Sequence, residues 1–143
     1  MKLPEIIDNR KILLKDVINH IIKKSTHVKI AAGYFYLNGF DIVKDNINPD
    51  CILDIVIGVE TDRKTAETIK SGYDSKLIED TISNMSSDLS NLDINQIDKI
   101  YSLSELIKEG RVRFKIYTKD KFHSKGYIFD INYCDDYEDS IAI

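Results

Sequence analysis

Long apolar runs are missing from this chain. Nothing in its 143 residues approaches the about 20 consecutive apolar residues that a bilayer-spanning helix needs. The start, Met1-Lys2-Leu3-Pro4-Glu5, lacks a continuous apolar segment of signal-peptide length, so no membrane partner is expected. Cysteine is scarce as well: Cys51 and Cys134 stand alone, without metal-type spacing or the look of a disulfide framework. A reduced, cytoplasmic setting follows from that usage. Positive charge is not in surplus, since 20 Lys and Arg against 24 Asp and Glu leave a net charge of −4 and a pI near 5.4. That balance is not the global signature of a nucleic-acid binder. No internal repeat is visible either.

What is present describes an ordinary globule, 43% apolar and 31% charged, of a length that suits one domain over residues 1–143. Asp8 can cap a helix from about Asn9 to Lys24, whose apolar stripe is Leu13, Leu14, Val17, Ile18, Ile21 and Ile22. Val28 to Phe35 is a near-continuous apolar run, expected as a strand buried on both faces. It ends in Ala31-Ala32-Gly33, small enough for close approach by another backbone or a ligand. Tyr34 or Tyr36 can line a site at that strand's C-terminal end, or simply pack at the rim. A short helix from Asn38 to about Asn46 then leads to a second buried strand, Cys51 to Val59, making a βαβ unit and a parallel pair.

Helices are expected from Asp62 to Lys70, through the stripe Ile78, Ile82, Met85, Leu89 and Leu92, and from Asn95 to Lys108 up to Gly110. The last of these places Ile97, Tyr101, Ser104 and Ile107 along one row. Glu60 and Asp62 are acids at a helix start, where they favour the dipole. Arg111 to Tyr117 alternates, with Val112, Phe114 and Ile116 inward and Arg111, Arg113 and Lys115 outward. Thr118 to Lys121 is expected to turn the chain as a hairpin into the next strand. A polar, acidic loop over Ile131 to Asp139 precedes a final strand beginning at Ser140. The sum is an α/β fold, a mixed, largely parallel sheet flanked by helices.

The positive charge that exists is local. Arg111, Arg113, Lys115, Lys119, Lys121 and Lys125 fall within fifteen residues that contain one acid, Asp120. Such a stripe can track a phosphate backbone, or it can be the solvated face of an edge strand. The stripe runs into Phe122-His123-Ser124-Lys125-Gly126-Tyr127-Ile128-Phe129-Asp130. On a strand, His123 and Lys125 share a face. An imidazole beside an ammonium suits phosphate chemistry, the one attacking phosphorus or moving a proton, the other neutralising oxygens. Asp130 lies an odd number of residues from His123, so it is expected on the opposite face as a support residue.

His123, Lys125 and Asp130 spell His-x-Lys-x4-Asp, which resembles the signature of the phospholipase D superfamily. The Gly33-Tyr34-Phe35 run and the short helix after it resemble phospholipase D-like domains at the start of bacterial helicase and restriction-type proteins. The resemblance implies metal-independent and cofactor-free phosphodiester chemistry, in which one histidine becomes a phosphohistidine and a second, from another motif copy, protonates the leaving group. It implies His123, Lys125 and Asp130 as the catalytic set; the local charge adds Lys121, Arg111, Arg113 and Lys115 as guides for DNA, and its place at the strand end adds Tyr34.

Only one copy of the motif occurs. The second is expected from a homodimer partner or from a further part of the protein. The family's Gly-Ser-x-Asn element is not among the residues after Asp130, so the sequence reads as stopping just before it, with little turnover expected of residues 1–143 alone. Two other readings stay open: a non-catalytic nucleic-acid-binding module of a DNA helicase, and a hydrolase of small phosphodiesters or phospholipids.

Overall fold

A computed structural model describes residues 7–58, 63–73, 94–117, 119–134 and 137–143. Five strands form one open sheet: β1 (Ser25–Ala32), β2 (Ile52–Gly58), β3 (Val112–Tyr117), β4 (Lys125–Cys134) and β5 (Tyr137–Ala142), in the order β3-β2-β1-β4-β5. The trio β1, β2 and β3 is parallel, while β4 runs antiparallel to β1 and β5 antiparallel to β4. The helices are α1 (Leu14–Ile22), α2 (Leu37–Asp41), α3 (Arg63–Tyr73) and α4 (Ile94–Lys108), with a 3₁₀ turn at Lys44–Asn46. The fold is α/β with a mixed sheet. Among the described residues no helix is long and apolar enough to cross a membrane.

The core lies on one side of the sheet. Val28, Leu53, Ile55, Ile57, Val112 and Phe129 meet Val17, Ile21 and Ile22 of α1, Phe40 of α2 and Ile100, Leu103 and Ile107 of α4 in one buried cluster. β1, β2 and β3 step in a single direction across the sheet, and crossovers of the usual right hand then lay their helices on the same face. The expectation that β1 is buried on both faces is therefore corrected: Lys29 is exposed and His27 half-buried on its other side. That side carries a ladder of paired charges instead. Arg113 grips Asp54 with two bonds of 2.7 Å, one to each oxygen, and the Oδ2 that accepts one of them also meets His27 Nε2 at 2.7 Å. Lys29 donates to Asp130 at 2.7 Å, and Ser140 donates to the same carboxylate at 2.7 Å.

Local departures have local causes. α1 starts at Leu14, not Asn9, because the Asp8 carboxylate accepts the amides of Arg10 and Lys11 in a turn of its own. Asn9, at φ 56°, then supplies the oxygen that accepts the Leu14 amide at 2.8 Å. Asn tolerates that left-handed conformation better than most residues. In α4 the buried row is Ile100, Leu103, Ser104 and Ile107, while Tyr101 is exposed, so the inward face is rotated from the expected one. Gly110, at φ 72°, ends the helix as expected. Residues 131–139 are mostly strand rather than an acidic loop, since Ile131 pairs with Asp139 and Asn132 with Glu138 in the β4–β5 hairpin. The helical stripe from Ile78 to Leu92, and the Glu60/Asp62 pair, lie outside the described residues.

Cys51 is fully buried just before β2, and burial pushes its thiol up to about 11. A thiol that is both shielded and protonated is a poor nucleophile. Alkylation at pH 8 is expected to be slow at Cys51 in the native protein and fast after urea unfolding. Equal labelling rates at Cys51 in the two states, by mass spectrometry, would contradict its placement.

Candidate phosphate-handling site

The expected hairpin between β3 and β4 does not form. Two strands, β2 and β1, separate them in the sheet, so the connecting residues must cross the C-terminal ends of both. That crossing builds the site. Phe122 packs its ring 5.3 Å from Tyr117 at the end of β3. The chain then passes so close over the strand ends that only glycine fits beneath it. A Cβ on Gly33 would lie 2.5 Å from the Phe122 carbonyl oxygen, and one on Gly58 would lie 2.7 Å from the Gly33 carbonyl oxygen. The Gly33 amide donates to the Ser124 carbonyl at 3.0 Å. His123 is therefore held on both sides by its own backbone neighbours.

The His123 ring is exposed and stands 6.4 Å from the Tyr34 ring, tilted by 53°. Lys125, also exposed, is the first residue of β4 and pairs with Ala32. Strand alternation sets Lys125 on the side of Tyr127 and Phe129, the side that Tyr34 also lines. His123 and Lys125 thus reach solvent at one end of the sheet, beside Tyr34. Beneath Tyr34 and Tyr36 lies a cavity of about 320 Å³ walled by aliphatic and aromatic groups, among them Ile18, Ile30, Phe40 and Phe129. Among the described residues Lys15 is the one charged side chain of that lining, whereas His123 and Lys125 lie outside it in solvent.

The remaining sequence-predicted residues divide. Asp130 pairs across β1 with His27, on the face opposite Lys125, where strand parity sends it. The Lys29 ammonium, and then the Ser140 hydroxyl, hold its carboxyl below the usual carboxylate range. Asp130 does not join His123; it ties β4 to β1 and β5. Arg113 is held by Asp54, whose carboxyl that guanidinium lowers first and His27 lowers further. Arg111 lies just before β3, donating to the Asn48 carbonyl at 3.0 Å and pairing with Glu109 at 3.7 Å. At a rise of about 3.3 Å per residue, Arg111 is roughly 20 Å from the strand end where His123 sits. Lys115 is exposed on the face of the charge ladder, and Lys119 and Lys121 are exposed on the crossover itself.

Sequence reasoning missed Gly58 and underweighted Tyr36. Gly58 was visible as the glycine that ends β2, as Gly33 follows the end of β1, and paired glycines at adjacent strand ends are the signal of a chain passing above. Among the described residues no group of three His, Cys, Asp or Glu side chains could hold a metal ion. The chain matches no family model, no curated protein and no solved structure significantly.

Proposed function

We propose that this chain carries one half-site of a metal-independent phosphodiesterase or nuclease of the phospholipase D type, acting on DNA, in a protein of the helicase or restriction kind. The observation that supports the reading is an exposed His123 pinned by glycine-dependent backbone contacts, with Lys125 opening the adjacent strand. Open α/β sheets bind ligands at this end. In this reading a His123 ring nitrogen attacks phosphorus, forming a P–N bond as the bond to the leaving oxygen breaks. The histidine of a second motif copy, from an identical subunit or a further part of the protein, gives that oxygen its proton. Water, deprotonated by the same second histidine, then cleaves the P–N bond and restores His123. Lys125 neutralises the non-bridging oxygens throughout, and Lys119 and Lys121 guide the strand. Arg111 and Arg113 are given no part in guidance, because protein acceptors already engage them.

The test is cleavage of labelled DNA in EDTA by the full-length protein. His123→Ala is expected to lower the rate by at least about a hundredfold, and a variant that cleaves as fast as wild type would sink the assignment. A second reading is a DNA-binding module that seats phosphate without turnover; the position of Asp130 on the face opposite Lys125 is compatible with both, since a support residue is expected there. Salt-sensitive binding without cleavage, lost when Lys121 and Lys125 are changed together, is what that reading expects.

A further inference from the structure

We infer that Tyr34 and Tyr36 form a stacking platform for an unpaired nucleobase, so that the substrate class of the His123 site is single-stranded nucleic acid. The inference rests on the phosphodiester reading above and deepens it. After β1 the chain alternates sharply: Phe35 and Leu37 are buried, while Tyr34 and Tyr36 are 41% and 54% exposed. Two large aromatic side chains therefore remain partly in water at the rim of the core, where they border the cavity. Their rings are 6.5 Å apart and within 11° of parallel.

Position converts this aromatic surface into a site. The Tyr34 ring is 6.4 Å from that of His123, so a phosphate held by the imidazole has its own sugar-linked base over the tyrosines. A base inside a duplex has both faces covered by its neighbours and cannot reach such a platform without leaving the stack. A single strand offers the face freely. Base–aromatic stacking tolerates any sequence, because every base has a π-face. The walls of the cavity below the rings are mostly aliphatic and aromatic, with Lys15 and tyrosine hydroxyls as their polar side-chain groups, and so present few groups to read a base edge by hydrogen bonding. The platform is accordingly tolerant of base identity and selective for strandedness.

The experiment uses the full-length protein and three labelled probes of equal length: oligothymidylate, an abasic single strand with the same phosphates, and a duplex. At fixed low salt, wild type is expected to bind oligothymidylate at least tenfold more tightly than either of the others. Stacking of about 1–3 kcal/mol per base makes the expected loss roughly tenfold for each ring removed, read with Tyr34→Leu and Tyr36→Leu, with abasic binding unchanged. Lys125→Ala is expected to weaken all three probes alike. Equal wild-type binding of the thymidylate and abasic strands overturns the platform and leaves the phosphate site standing. Tighter binding of duplex overturns it likewise, and binding of no probe overturns the platform and the phosphodiester reading together.

Discussion

Replacing Gly33 by alanine is expected to destabilise the fold by about 1–3 kcal/mol, the usual range for forcing a methyl into filled space. The new Cβ would sit 2.5 Å from the Phe122 carbonyl oxygen and 3.3 Å from the His123 Cα. Both obstructions are backbone, so no side-chain rotation relieves them, and the crossover must lift away from the ends of β1 and β2. Lifting it strains the Gly33–Ser124 hydrogen bond and moves His123 from its place beside Tyr34. The change should therefore appear twice, in urea unfolding and in the His123 imidazole resonance, which has only His20 and His27 for company. Gly39→Ala is the control. Nothing lies within 4 Å of its Cβ and it sits within α2, so alanine there is expected to gain about 0.5–1 kcal/mol. A Gly33→Ala protein as stable as wild type, with an unmoved His123 signal, would show that the crossover does not lie on Gly33.

The parts of this architecture that were legible in the sequence are those encoded by neighbours along the chain. The apolar runs around Val28 and Leu53 marked β1 and β2, and the row Ile97, Tyr101, Ser104 and Ile107 marked α4 though not its inward face, because burial on one face repeats with the period of the element. Strand parity placed Asp130 away from Lys125, and Ala32-Gly33 was read as a point of close approach. What was not legible depends on strand order. A short link between β3 and β4 reads as a hairpin whenever the two strands are assumed to be neighbours. Here β4 pairs with β1 instead, and the same residues become a bridge over the sheet. The charged face escaped for a similar reason: His27 and Asp54 look like isolated polar breaks in apolar runs, and only the register His27↔Ile52 and Asp54↔Arg113 turns them into a ladder. Ile116, expected inward, is 54% exposed near the tip of an edge strand with a partner on one side only.

Phe129 and Asp130, consecutive on β4, give the sharpest test of which face is which. Phe129 is fully buried and walls the cavity under the tyrosines, so Phe129→Ala is expected to cost about 3–5 kcal/mol, since the void it leaves joins space already present. That is a large share of the roughly 5–15 kcal/mol that holds such a domain together. Asp130→Asn, on the partly exposed face, forfeits a charge-assisted bond to Lys29 and is expected to cost only about 1 kcal/mol. The two losses also differ in pH dependence. The Asp130 carboxyl is lowered in the fold, by Lys29 first and Ser140 next, so the stability it contributes is present above the unfolded value, about 4, and is lost as pH falls through the lower folded one. The gap between wild type and Asp130→Asn should close on acidification below about pH 4, whereas the Phe129→Ala gap, which contains no proton, should persist. If urea unfolding at neutral pH showed Asp130→Asn costing more than Phe129→Ala, the sheet would have to be turned over, and Lys125 would leave the side on which Tyr34 and His123 meet.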